Sequence, residues 1–304
     1  MTLADKLRVS ARGFRLATRQ PQATPCIESE KAAIAATEKI AKKIRDLQLR
    51  LYAEGRQSLL IVLQGLDAAG KDGTIKHVLG MMNPQGCDVT GFKQPTPLEL
   101  RHDFLWRVHP HAPPRGEVAV FNRSHYEDVL ITRVHQLCPK AQLEQRYTQI
   151  NEFESLLASQ ANTRVIKFFL HISPEEQLAR FALRLADPAK NWKISESDYS
   201  ERAYWEAYQE AYQIALRKTS TANAPWYVIP ADNKWYRNYA VACIVLETLQ
   251  QMNPQLPKPS VDLASIRKKF HQAVLQAANG HTKAAKPSGK TTKGIKGAKR
   301  NKKA

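Results

Sequence analysis

Ser58-Leu59-Leu60-Ile61-Val62-Leu63-Gln64 runs directly into Gly65-Leu66-Asp67-Ala68-Ala69-Gly70-Lys71-Asp72-Gly73-Thr74. The first seven residues carry no charge and do not alternate. Both faces of the segment are therefore apolar, as in a buried strand of a parallel sheet. The second block has the Gly-x4-Gly-Lys spacing of a phosphate-binding loop. Such a loop turns sharply and aims backbone N–H groups, with the positive end of the next helix, at an anionic oxygen. The lysine then reaches the outer phosphates. The bare spacing arises by chance in roughly one 300-residue chain in ten. The strand before it and the helical run Thr74-Ile75-Lys76-His77-Val78-Leu79 after it give the match its weight. Gly65, Ala68, Ala69, Gly70, Lys71, Asp72, Gly73 and Thr74 are the candidate phosphate-binding residues.

Two carboxylates stand inside this loop. The position after the lysine, usually a Ser or Thr that holds magnesium, is Asp72, and Asp67 lies within the turn. Carboxylates beside a phosphate site repel the anion unless a hard cation lies between them, so Asp67 is read as a magnesium ligand. Asp72 has two readings, a cation contact or a cap on the following helix.

Outward from the loop, Ile27 to Arg56 has apolar residues at threes and fours and reads as a long helix ending near Gly55. Residues 86–92 read as a short strand, Leu98–Val108 as a helix after the Pro95-Thr96-Pro97 turn, and Glu117–Asn122 as a third strand. A helix at 140–160, strands at Arg164–Ile172 and Pro225–Pro230, and a helix at Tyr236–Met252 follow. Strands alternating with helices imply an α/β fold, a parallel sheet covered on both faces by helices. Residues 173–220 exceed one crossover helix and read as a helical lid. The expected organisation is a loose basic arm at 1–25, a phosphate-loop domain at 26–254, and a disordered Lys-rich tail at 255–304.

The net charge is +18, and residues 263–304 hold twelve Lys or Arg with no acid, leaving the rest at +6. This balance calls for a polyanionic partner, whether nucleic acid, an anionic membrane or polyphosphate. No run of 18 apolar residues occurs, so no membrane span is expected. Cys26, Cys87, Cys138 and Cys243 lack paired spacing, which excludes a zinc ribbon and suits a reducing cytoplasm.

Phosphate-loop enzymes commonly hold magnesium with an Asp at a second strand end; here that place is Asn122. Glu127 and Asp128, one turn on, are the candidates to restore the charge. Arg123 is placed to fork onto phosphates. In the lid, Arg180 and Arg184 are four apart, and Lys190, Trp192 and Lys193 follow the break at Asp187-Pro188. A cationic lid would close over a charged substrate and neutralise the transferring group. Tyr204, Trp205, Tyr208 and Tyr212, at helical spacing, read as core. His109-Pro110-His111 lacks a third ligand for a metal.

Taken together, GLDAAGKDGTIKHVL (65–79), GFKQPT (91–96), LRHDFLWR (100–107), FNRSHYEDVL (121–130), KFFLHIS (167–173), RFALRLADPAKNWK (180–193), SERAYWEAY (200–208) and APWYVIPADNKWYRN (224–238) resemble the family-2 polyphosphate kinases. Asn122 with Glu127 nearby is similar to the subgroup acting on both nucleoside mono- and diphosphates. The resemblance implies reversible transfer of the terminal phosphoryl of inorganic polyphosphate to AMP or ADP, with ATP as a product, guanosine nucleotides as further candidates, and Mg2+ or Mn2+ as cofactor. It also implies a three-layer, P-loop kinase-like fold with a helical lid, and a homo-oligomer, dimeric or tetrameric. Carried over by motif, Asp67 and Glu127 would organise the metal, and Lys71 and Arg123 would hold the moving phosphoryl. Lys93, Arg133, Arg180, Arg184, Lys190 and Lys193 would line the polyphosphate channel or lid. The tail lies outside the matching blocks, where it would bind polyanions. Two rivals stand beside this reading: an ATP-dependent nucleotide kinase of the same fold, and a non-catalytic polyanion-binding protein acting through its tail.

Overall fold

The computed structural model describes residues 1–10 and 13–284. Five strands form one sheet, β1 (Ser58–Gln64), β2 (Cys87–Gly91), β3 (Val118–Asn122), β4 (Thr163–His171) and β5 (Trp226–Pro230). All pairs are parallel and the order is β2-β3-β1-β4-β5. Every residue of β1 is buried. Leu59, Ile61 and Leu63 point into one apolar layer, Leu60 and Val62 into the other. From β1 the chain crosses to β2 and β3 on one side and then to β4 and β5 on the other, so the carboxyl end of β1 is the crevice where open α/β sheets bind ligands.

Helices α1 (Leu3–Leu7) and α2 (Glu30–Glu54) precede the sheet. Helix α2 starts at the Ser29 cap, which accepts from the Ala32 amide, and stops at Gly55, left-handed at φ 63°. After the loop come α3 (Lys71–Thr74) and a π-helical turn, Ile75–Leu79. Next are α4 (Glu127–Val134), α5 (Lys140–Gln160), α6 (Pro174–Ala186), α7 (Glu196–Arg202), α8 (Trp205–Thr219) and α9 (Lys234–Met252). The apolar side chains of α2 and α9 join the layer of Leu59 and Ile61, and those of α4, α5 and α8 join the layer of Leu60 and Val62.

Three expectations need correction. No α-helix forms over 98–108. Thr96 and Glu99 cap a short 3-10 turn, Glu99–Arg101, and Asp103 opens a new turn by accepting from the Leu105 amide. These local side-chain bonds compete with helix continuation. Nor is the N-terminal segment a loose arm. Ala4, Leu7, Val9, Phe14 and Leu16 are buried, the Val9 amide donates to the Trp226 carbonyl, and Arg8 bridges Tyr227 in antiparallel fashion, so the segment covers the β5 edge. Gln213 on α8 grips the backbone of Phe14 and Leu16. Finally, the compact unit ends at Leu256, and the chain beyond it carries α10 (Leu263–Ala284) rather than continuous disorder. Asp262 caps it by accepting from the Ala264 amide, and a proline-free, Ala-rich run sustains it. Residues 285–304 of the expected tail lie outside the described residues.

Two outcomes follow for stability. Phe14→Ala is expected to cost about 3 kcal/mol in urea unfolding; a loose arm would leave stability within about 0.5 kcal/mol. His171 on β4 meets the Arg19 carbonyl at 3.1 Å, and burial pushes its pKa from 6.5 to about 4. The folded state holds it neutral, so its contribution is complete above pH 6.5 and is lost as pH falls through that window to about 4. His171→Gln should therefore flatten the fall in unfolding midpoint between pH 6.5 and 4.5, relative to wild type.

Candidate active site

Tight backbone packing shapes the phosphate loop. A Cβ on Gly65 would lie 2.9 Å from the Leu170 carbonyl oxygen. Gly70 has φ 105°, and a Cβ there would fall 1.8 Å from Nη1 of Arg237. The Ala69 amide is spent on the Leu66 carbonyl, whereas the first-turn amides of Lys71, Asp72 and Gly73 have no preceding helical carbonyl to bond. Lys71 is buried, and its Nζ donates to the Gly65 carbonyl at 2.7 Å and the Leu66 carbonyl at 3.4 Å. Burial lowers its pKa, and Arg123 adds to that; Asp67, Glu127 and Asp72 work in the opposite direction.

Arg123 follows β3 in the left-handed region, φ 62°, with its amide on the Leu63 carbonyl of β1. That turn carries its guanidinium across to Asp67, Nη2 to Oδ1 at 2.8 Å. A buried polar cluster holds the turn from below. Lys167 donates to Glu154 at 2.5 Å, to Tyr126 Oη at 2.8 Å and to the Thr219 carbonyl at 2.7 Å; Tyr126 Oη donates to Glu154 at 2.9 Å. Gln64 donates to the Ser124 hydroxyl, which accepts the Tyr126 amide.

Asp72 is neither a cap nor free. Asn122 Nδ2 donates to its Oδ1 at 2.9 Å, and Lys193 Nζ to its Oδ2 at 3.0 Å. Partial desolvation works to raise the carboxyl, yet these two hydrogen bonds and the charges of Lys193 and Lys71 hold it below its ordinary value. The neutral strand-end residue thus acts as a donor, and Asp72 ties the loop to the Pro188–Lys193 turn.

The expected lid divides into fixed and exposed parts. Gln177 and Arg180 on α6 grip the phosphate loop: Gln177 donates to the Asp67 carbonyl at 2.9 Å, and Arg180 Nη1 to the carbonyls of Ala68 and Ala69 at 2.8 and 3.0 Å. Arg180 is buried and its charge meets Glu176, so it clamps the loop while also contributing to the wall of the cationic cleft. Helix α8 is core, with Ala211, Tyr212, Ala215 and Leu216 buried. The stretch 187–204 is largely exposed and carries Lys190, Trp192 and Lys193. Lys190 pairs with Asp187, and the Lys193 ammonium lies 4.9 Å from the Trp192 ring centre.

Two clefts meet at Asp67, Phe92, Lys93 and Arg123, beneath Ser195 and Asp198. One, about 1060 Å³, is walled by Gly70–Gly73 of the loop and by Arg184, Lys190, Lys193, Lys234 and Arg237. The other, about 760 Å³, is walled by Leu130, Ile131, Trp205, Tyr208 and Tyr212, with Glu127, Asp128 and Arg202. Three aromatics expected as core therefore also line a cleft; Tyr204 of the same run is exposed and packs on His135. Burial pushes Asp128 up to about 6, against the pull of Arg146 and Arg107.

Arg133 is not brought to the site. It lies six residues past Glu127 on α4, on another face, and meets Glu144 and Glu210. Thr74 is buried with its hydroxyl on the Gly70 carbonyl, and Ala69 is fully buried, so neither lines a cleft. Lys93 and Arg184 do line one. Arg237, Lys234 and Gln177 went unnoticed as site residues in the sequence. The signal for the first two was their place in the block ending Asn233-Lys234-Trp235-Tyr236-Arg237-Asn238.

A phosphate loop at the switch point of a 2-3-1-4-5 parallel sheet, under a cationic cover, is the arrangement of a kinase moving a phosphoryl group between anions. Comparison narrows the class. A family model described as Polyphosphate kinase 2 (PPK2) matches residues 28–257. An AMP/ADP-polyphosphate phosphotransferase of Meiothermus ruber is 48% identical over 256 residues, covering 84% of this chain and 96% of that protein. An ADP-polyphosphate phosphotransferase of Rhodopseudomonas palustris is 44% identical over 229 residues, 71% of this chain and 79% of the relative. The crystal structure of polyphosphate kinase 2 from Arthrobacter aurescens superposes with a TM-score of 0.87 at 44% identity, covering 90% of this chain and 97% of the other. The chain belongs to the polyphosphate kinase 2 family.

Because Gly70 packs against Arg237 at positive φ, Gly70→Ala should lower kcat/KM at least about 100-fold, the scale of a 1 Å misplacement. Steady-state kinetics beside a thermal unfolding curve check this.

Proposed function

We propose that this enzyme transfers the terminal phosphoryl group of inorganic polyphosphate to AMP and to ADP, reversibly. The meeting of two unlike clefts at Asp67 and Arg123 carries the reading. The cationic one suits an extended anion with no base to recognise, and the aromatic one suits a nucleotide. Phosphoryl transfer asks for in-line placement and charge neutralisation rather than covalent help. Lys71 and Arg123 flank the place where the two anions meet. The acceptor phosphate is already ionised, so no general base is needed.

Among the described residues no group of three His, Cys, Asp or Glu side chains is gathered to hold a metal. Asp67 and Glu127 nevertheless fit magnesium, which commonly takes one or two carboxylates and completes its shell with substrate phosphates and water. Both line the aromatic cleft beside Arg123. When bound, the ion would screen the repulsion between donor and acceptor phosphates. Manganese would fit the same oxygens. Guanosine nucleotides fall within the same acceptor class. The working form is a homo-oligomer in the cytoplasm, where nucleotides abound and the four free cysteines stay reduced. Among the described residues no helix is long and apolar enough to cross a membrane.

Purified enzyme with magnesium, long-chain polyphosphate and AMP should give ADP and then ATP over time, and ATP in place of polyphosphate should be a poor donor. Better turnover with ATP would overturn the reading. Asp67→Asn should abolish metal-dependent transfer. Arg123→Ala should cost at least about 2.7 kcal/mol of transition-state stabilisation, about 100-fold in kcat.

A further inference from the structure

Arg237, on the first turn of α9, is buried at 3% exposure. Its Nη1 donates to the Ala69 carbonyl at 3.3 Å, while Nε and Nη2 both reach Asn238 Oδ1, at 3.2 and 2.9 Å. A guanidinium has five N–H groups. One on each terminal nitrogen is therefore left over. Arg107, Arg123, Arg146 and Arg180 each have a carboxylate partner; among the described residues Arg237 has none. The charge that acts on it is another cation, Arg180. Burial, with that neighbour, brings its pKa down to about 9.

A buried guanidinium without a counter-ion is costly, and a hydrogen-bonded anion offsets that cost. The side chain lies flat on the phosphate loop. A Cβ built on Gly70 would be 1.8 Å from Nη1, and one on Gly73 would be 3.0 Å from Nη2. Arg237 lines the cationic cleft and not the aromatic one. We infer that Arg237 binds the donor chain, taking as its counter-ion an oxygen of a phosphate seated over Gly70–Gly73 through its two remaining N–H groups. The inference rests on reading the cationic cleft as the donor site. Arginine suits this place because its planar fork serves the Ala69 carbonyl, Asn238 and a phosphate at once, which an ammonium does less well.

The test uses the full chain with Arg237→Lys and Arg237→Gln. Steady-state rates are taken with polyphosphate varied at saturating AMP, then with AMP varied at saturating polyphosphate. Thermal unfolding is followed with and without inorganic tripolyphosphate. The expected result is a KM for polyphosphate at least tenfold higher in the Gln variant and intermediate in the Lys variant, with the KM for AMP within twofold of wild type. The tripolyphosphate-induced rise in melting temperature should shrink in the same order. An unchanged polyphosphate KM and unchanged tripolyphosphate shift would overturn the inference. So would equal rises in both KM values, or a loss of kcat alone, since either marks a merely structural role. If the Gln variant does not fold, the Lys variant decides by the same split. Wild-type enzyme that ignores polyphosphate yet gains stability from tripolyphosphate through Arg237 would sink the donor reading and leave the anion contact standing.

Discussion

Arg180 ties the catalytic edge of the sheet together. Its Nη1 serves the carbonyls of Ala68 and Ala69 on the phosphate loop, its Nη2 those of Ala231 and Asp232 after β5, and its Nε the carboxylate of Glu176 on its own helix. One buried side chain thus fixes the distance between two strand ends and the base of α6. A loop whose amides must face a ligand turns its carbonyls the other way. Buried carbonyls need donors. An arginine can supply several from one rigid plane, which explains why a residue at the wall of the cationic cleft has most of its donors on backbone.

The rest of the site balances charges that the sheet edge forces together. Asp67 meets Arg123, Asp72 meets Lys193, and Lys71 folds onto the loop carbonyls, so the cradle holds its own ions in internal pairs. Each pair sits where an anionic substrate would compete for the cation. The link from Asp72 to Lys193 joins the loop to the exposed turn after α6, so a phosphate that draws Lys193 away also alters what Asp72 sees. The buried pair of Lys167 and Glu154 serves another end: it offers no surface to substrate and anchors Tyr126, three residues beyond the arginine that faces Asp67.

Much of this was legible in the linear chain. Seven uncharged residues before a glycine-rich loop fixed a central buried strand, and β1 spans those seven, Ser58–Gln64. The helices at 140–160 and after 234 follow their apolar spacing. Asp67 and Arg123 meet because a loop after one strand and a turn after its neighbour must share an edge. Arg133 misled because it sits on the wrong face of α4. Arg180 lines the cationic cleft, but most of its donors are spent on carbonyls whose direction no local pattern reveals. The N-terminal segment misled because a five-residue helix and a few scattered apolar residues make no long periodic run; they are buried where β5 presents an open edge and α9 lies alongside.

Local physics, then, wrote the parallel α/β class, the phosphate loop and the family into residue order, since strand burial, glycine turns and helix periodicity act over a few neighbours. Tertiary structure alone decided which cations are free. Whether an arginine faces a carboxylate, a carbonyl or an open cleft depends on groups more than a hundred residues away, as Arg237 against Ala69 and Gly70 makes plain. Electrostatic partnership is a property of space rather than of spacing, and the chain had to fold before its charges could be told apart.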